Sequence, residues 1–202
     1  MPQTEAQTRD KILLAALGLF AERGIRRTSV GEVAFRAGVT RVTVYRYFSD
    51  RKELVRAAFL RVEQIFQKGL ADLRKDPRAD WQVVLRRIGE GLSALPSGDA
   101  AARADELRRL YPDVYDSIQQ VRVATLNGFF AGAKRRGLLR PDLKQSVVEA
   151  VFSELVINFF DNPRFKSLGL SDSQLFYSMT DILLHGVLRT QTKGSRRQTS
   201  RR

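Results

Sequence analysis

Residues 40 to 48 read Thr-Arg-Val-Thr-Val-Tyr-Arg-Tyr-Phe, a run of hydroxyls, phenols and guanidinium groups around two valines. At 100° per residue, Val42, Thr43 and Arg46 share one side of a helix, flanked by Arg41, Tyr45 and Tyr47. Cations and hydroxyl donors set on one outward face are the groups that hold phosphate oxygens and reach base edges in a major groove. Outside such a setting, Arg41 and Arg46 would be ordinary solvated charges, and the two tyrosines would more often pack than bind. The elements around them decide between these readings.

Val44 and Phe48, four apart on the opposite side, make the stripe that packs this helix down. Thr40 caps its start. Immediately upstream, Ser29 and Glu32 stand in capping-box spacing before Val30, Val33, Ala34 and Ala37, which recur at helical intervals. Gly38 gives the backbone freedom needed to turn sharply between the two helices. Further upstream Ile12, Leu13, Ala16, Leu19 and Phe20 form an amphipathic helix that stops at Gly24, and downstream Asp50 and Glu53 open a long one. Three short helices with a glycine corner between the second and third form a helix-turn-helix, whose last helix enters the groove.

The stretch from about Thr8 to Leu54 closely resembles the DNA-binding domain of the TetR/AcrR family of bacterial transcriptional repressors. The resemblance is carried by Phe20-Ala21-Glu22-Arg23-Gly24, Thr28-Ser29-Val30, Val33-Ala34, Ala37-Gly38-Val39, Thr43-Val44-Tyr45, Tyr47-Phe48 and Glu53-Leu54. It implies that Thr43, Tyr45 and Tyr47 hold phosphates, that Tyr45 also touches a base, and that Val44 and Phe48 are core. With Ser29, Thr40, Arg41, Val42, Arg46 and Arg51 these make up the expected DNA-binding set.

Three positions depart from the family pattern. Position 42, often Gly in the family, is Val, whose branched side chain can read a thymine methyl but keeps the backbone away from DNA. Position 31, where many members carry a basic residue, is Gly, so a contact is expected to be missing there. Position 51 is Arg where Lys is common, which keeps the cation and adds a fork.

The 202 residues carry a formal charge of +13, unevenly placed. Residues 1–53 hold ten Lys/Arg against six Asp/Glu, residues 54–188 nineteen against sixteen, and residues 189–202 six against none. These spans are the expected organisation: a helix-turn-helix domain, a helical ligand-binding and dimerisation domain, and a disordered basic tail. The tail is either a solubilising end or a second, non-specific phosphate contact. The first residues lack the basic start and apolar run of a signal peptide, and the most apolar stretch, 147–160, is broken by Glu149, Glu154 and Asn158 and too short to span a bilayer. A cytoplasmic, nucleoid-associated protein without membrane contact is expected. The absence of cysteine excludes disulfides and thiolate metal sites.

After Leu54 the apolar spacing predicts only helices: a long one to Leu73, one over about 80–95, a short one to Tyr111, and one from Pro112 to Arg136. Two more follow, from Pro141-Asp142 to Phe160 and from a Ser171 cap to about Leu188. The fold class is all-α. The last two helices are apolar around most of their circumference, which demands burial on more than one side. The resemblance implies that they build a homodimer, here through Val148, Phe152, Leu155, Phe159, Phe176, Leu183 and Leu184. It also implies a small-molecule pocket in the middle of the chain, to which Phe66, Trp81, Tyr111, Tyr115, Phe129 and Phe152 are assigned, with a largely apolar effector.

Enzymatic chemistry finds no support. His185 is the sole histidine, in an apolar helix where a hydrogen-bonded interface role outranks a catalytic one, and no phosphate loop, nucleophile pair or metal-ligand spacing occurs. No cofactor and no metal are expected. Against a sequence-blind nucleoid protein, the helix-turn-helix predicts preference for a palindromic operator.

Overall fold

Reciprocal capping boxes start the first two helices of the computed structural model. Thr4 donates its N–H to Gln7 Oε1 at 2.9 Å and accepts the Gln7 N–H at 3.3 Å, opening α1 (Glu5–Arg23). Ser29 and Glu32 do the same for α2 (Val30–Ala37), as the sequence predicts. Thr40 caps α3 (Arg41–Tyr47), and Asp50 accepts the Glu53 N–H at 2.7 Å at the head of α4 (Arg51–Lys75). Then come α5 (Ala100–Leu110), α6 (Pro112–Arg135), α7 (Gln145–Asn158) and α8 (Asp172–Val187), with no β-strand among the described residues.

The structure describes residues 4–75, 87, 90, 91, 94, 100–137, 139–158, 164, 167–170 and 172–187. Trp81 and most of the helix expected over 80–95, Phe159, the Ser171 cap and the basic tail lie outside them. Phe152, Leu155, Phe176, Leu183 and Leu184 are described only as helical backbone.

Ile12, Leu13, Ala16, Leu19 and Phe20 of α1 are buried against Val33 and Ala34 of α2, Val44 and Phe48 at either end of the α3 stripe, and Leu54, Val55 and Ala58 of α4. Each large side chain removed from water in this way contributes roughly 1.5–3 kcal/mol. The same cluster continues into Leu107 of α5 and Val114 and Ile118 of α6, so buried contact crosses residue 53 without interruption. Polar bonds follow that path along α4. Arg61 pairs with Asp10 of α1 at 2.6 Å, Lys52 with Asp113 of α6 at 2.7 Å, and the buried Glu63 carboxylate with Arg122 of α6.

Two expectations change here. The seventh helix starts at Gln145, not at Pro141-Asp142, because Asp142 is held by Arg140 at 2.5 Å and cannot cap, while Leu143 N–H closes a turn on Arg140 O at 3.3 Å. Val148, expected to await a partner chain, is already buried within this one. Among the described side chains of the last two helices, the large apolar ones left in water are Val147 and Val151 of α7 and Tyr177 and Ile182 of α8.

Candidate nucleic-acid interface

The corner between α2 and α3 is a left-handed residue, Gly38, at φ +66° and ψ 35°, a conformation that costs any L side chain about 1–2 kcal/mol. The Val39 N–H returns to Ala34 O at 3.0 Å and so fixes the angle at which α3 leaves. With Val44 and Phe48 buried behind it, α3 turns its other side to solvent: Val42 is 78% exposed and Tyr45 50%, with Arg41 and Arg46 exposed beside them. The outward apolar valine that the sequence singles out therefore has no core to join.

Hydroxyls on this face are partly engaged in holding the helices. Thr40 Oγ1 accepts the Thr43 N–H at 3.1 Å and lies 2.9 Å from Thr43 Oγ1. Ser29 Oγ donates to Glu32 at 2.9 Å. The Ser29 N–H and hydroxyl hold the Glu32 carboxyl below the usual glutamate range, and Arg23 neutralises it at 2.6 Å. Glu22 is likewise lowered by its hydrogen bond from Arg36, at 2.7 Å. The nearby carboxylates are thus paired, which leaves the positive side chains to set the local potential.

Those positive side chains include two that sequence reasoning missed. Arg26 and Arg27, both exposed, line a basin of about 450 Å³ together with Arg41 and Tyr45, over a floor formed by Thr28, Ser29 and Gly31. Arg51 borders the same basin, and the exposed pair Arg26 and Arg27 in such a concavity suits a phosphate backbone. Their signal was available, since two adjacent arginines precede the Ser29 cap and therefore fall at the positive end of α2.

Two expected contacts are corrected. Arg51 is turned inward: it donates to Ile25 O at 2.6 Å, to Thr28 O at 3.2 Å and to the Tyr111 hydroxyl. The tight turn after Gly24 leaves carbonyls with no helical partner, and a guanidinium fork satisfies two of them, which outweighs one surface phosphate contact. Tyr47 packs against the core, and its hydroxyl is buried without a hydrogen-bond partner among the described residues. It serves as a platform for Arg46, whose guanidinium lies 5.3 Å from the ring centre.

The arrangement has counterparts among known proteins. Residues 12–58 match the family model described as bacterial regulatory proteins, tetR family. The HTH-type transcriptional repressor BepR of Brucella suis is 39% identical over 179 residues, covering 77% of this chain and 80% of that protein. The chain belongs to the TetR family. HTH-type transcriptional regulator AcrR of Shigella flexneri is 36% identical over 90 residues, a match that spans 43% of this chain and 40% of AcrR. FadR from Bacillus subtilis, solved in complex with stearoyl-CoA, shares the fold at a TM-score of 0.62 and 19% identity, over 88% of this chain and 98% of its own. This TetR-family chain is a DNA-binding transcriptional regulator and not an enzyme.

In this TetR-family regulator the expected pocket residues whose side chains are described, Phe66, Tyr111, Tyr115 and Phe129, do not converge. Tyr111 and Tyr115 pack against the core of the DNA-binding head, and Tyr111 is the partner of Arg51. Of these four, Phe129 alone lines the cavity of about 480 Å³ between α4 and α6, beside Leu70 and Ala71. Its edge meets Phe130 at 5.0 Å, which fixes the ring. Phe66 is half-buried outside that wall. The rest of the wall sets Ala124 and Gly128 beside the polar Gln64, Gln67, Lys68 and Thr125, and Gln67 Nε2 donating to Thr125 Oγ1 at 3.3 Å ties α4 to α6.

Glu106 on α5 was also missed. Its two carboxylate oxygens accept the N–H groups of Ile25 and Arg26 at 2.6 and 2.9 Å, and this joins α5 to the turn that carries the basic basin. No periodicity marks such a contact, because the partners are main-chain groups eighty residues away. His185 is exposed, with Nδ1 2.8 Å from Asp181 O and no catalytic company.

Proposed function

We propose that this regulator is a repressor that binds a palindromic operator as a homodimer and releases it when a small molecule enters the cavity between α4 and α6. One observation carries the reading. Val42, Tyr45, Arg41, Arg26 and Arg27 all face outward from a head whose core residues lie behind them. Apolar and phenolic groups for base edges thus stand beside cations for phosphates. Thr43 and Arg46 flank them.

A single seven-residue recognition helix contacts few bases, and two copies related by a two-fold axis read two half-sites. Exposed Val147, Val151, Tyr177 and Ile182 on α7 and α8 supply an apolar surface for the second copy. The effector is a molecule with an apolar body against Leu70, Ala71 and Phe129 and a polar or anionic group toward Gln64, Gln67 and Lys68. Occupation of FadR by stearoyl-CoA shows that this fold admits a ligand of that general kind.

Selection of operators from a random-sequence duplex library tests the first half, and recovery of an inverted repeat is the expected result. Binding without sequence preference would overturn it. The sole tryptophan, Trp81, reports on the second half. A compound that perturbs its fluorescence saturably should release the operator over the same concentration range, with typical couplings of about 5- to 150-fold in affinity. Saturable binding that leaves DNA affinity unchanged would separate the cavity from the switch.

A further inference from the structure

Gly31, where a missing contact is expected, is not an empty place. A Cβ built on Gly31 would stand 2.6 Å from Nε and 2.8 Å from Cζ of Arg41, so the Arg41 guanidinium lies directly across the first turn of α2. Any side chain at position 31 displaces it. Because the obstructed atoms are the far end of a flexible arginine, the displacement re-aims Arg41 without disturbing the fold.

We propose that Gly31 is a specificity-determining residue: by having no side chain it seats Arg41 as a base reader, directed at a guanine of each half-site. This deepens the operator-binding reading and rests on it. Arg41 is exposed, and among the described residues no carboxylate pairs with it, so its fork remains available. It adjoins Val42, the more exposed of the two outward hydrophobic side chains of α3, and shares the basin with Arg26 and Arg27. Arg46, the other candidate on α3, is stacked on Tyr47. A seated guanidinium has a direction, and direction is what two parallel hydrogen bonds to guanine O6 and N7 require. A phosphate would accept the same cation from many angles. Gly31 thus supplies position and Arg41 supplies contact.

The experiment compares operators selected from a random duplex library by the wild type, Gly31→Ala, Arg41→Ala and the double variant. Alanine is the better helix former, so Gly31→Ala should unfold at the same or a higher urea concentration, which removes misfolding as a cause. The wild type should recover a palindrome with a guanine at one symmetric position. Arg41→Ala should lose roughly tenfold discrimination there and little elsewhere. Gly31→Ala should lose or move that same preference, and the double variant should match Arg41→Ala. Uniform weakening on all sequences by Arg41→Ala would make it a phosphate contact and overturn the proposal. Multiplicative effects in the double variant would also overturn it, since Gly31 would then act independently of Arg41. A wild type that selects no sequence would overturn the operator reading itself, and this proposal with it.

Discussion

The Arg51 guanidinium lies 5.8 Å from the Tyr111 ring centre and donates to the phenol while also reaching the carbonyls of Ile25 and Thr28. One side chain of α4 therefore binds the turn behind α1 to the start of α6. Arg51→Ala should destabilise the chain by roughly 2 kcal/mol, because it removes the donors to the Thr28 carbonyl and the Tyr111 hydroxyl and leaves Ile25 O only the Thr28 N–H. Urea unfolding checks the loss. The salt dependence of DNA binding should stay as in the wild type, and a flatter slope would return Arg51 to the phosphates.

Arg26→Ala and Arg27→Ala should do the reverse. Each removes an exposed cation from the basin, so log affinity against log salt should flatten by about one phosphate per protomer, with unfolding unchanged in Arg26→Ala and slightly easier in Arg27→Ala, which loses the bond to Arg23 O at 2.8 Å. Titrations of labelled operator at several salt concentrations would show it; an unaltered slope would count against the basin.

Val42→Gly should cost about 1 kcal/mol at one symmetric operator position and little elsewhere, as expected for loss of a contact with a thymine methyl. Selections that return the same base at every position would mean that Val42 reads nothing.

Ile182→Glu or Val151→Glu places a charge on the exposed apolar faces of α8 and α7. Sedimentation should then show a monomer where the wild type is a dimer at micromolar concentration, with the helical content retained. A wild type that sediments as a monomer would remove the dimer.

Acid should loosen the head first at its capping box. The Ser29 N–H and hydroxyl hold the Glu32 carboxyl below the value of 4.5 that it has when unfolded. The unfolded chain therefore takes up the proton first: the stabilisation is whole above about 4.5 and is lost as pH falls through the lower folded value. Glu22, Asp113 and Asp142, lowered by Arg36, Lys52 and Arg140, act in the same sense. The urea midpoint should hold above about pH 4.5 and fall below it, less steeply in Glu32→Gln.

Local signals were legible and distant ones were not. The capping pairs Ser29/Glu32 and Asp50/Glu53, the Gly38 corner and the Val44/Phe48 stripe all act within a few residues, and each stands where the spacing puts it. Arg51 was misjudged because its partners, the carbonyls of Ile25 and Thr28, carry no side-chain signature. The family resemblance and ring type together assign Tyr111 and Tyr115 to a pocket, whereas both pack against the buried cluster that includes the head. Val148 shows the limit of counting apolar residues on a helix, since periodicity cannot say which face its own chain covers.

Arg26 belongs to both halves of the molecule through different atoms. Its peptide N–H is fastened to Glu106 of α5, while its guanidinium borders the basin beside Arg41 and Tyr45. The separation between α5 and a cation of the basin is therefore one residue deep, with no flexible spacer to absorb a displacement. In the proposed switch, a tilt of α5 would pull on the anchorage of that cation, and a phosphate clamped by the cation would steady α5 in return.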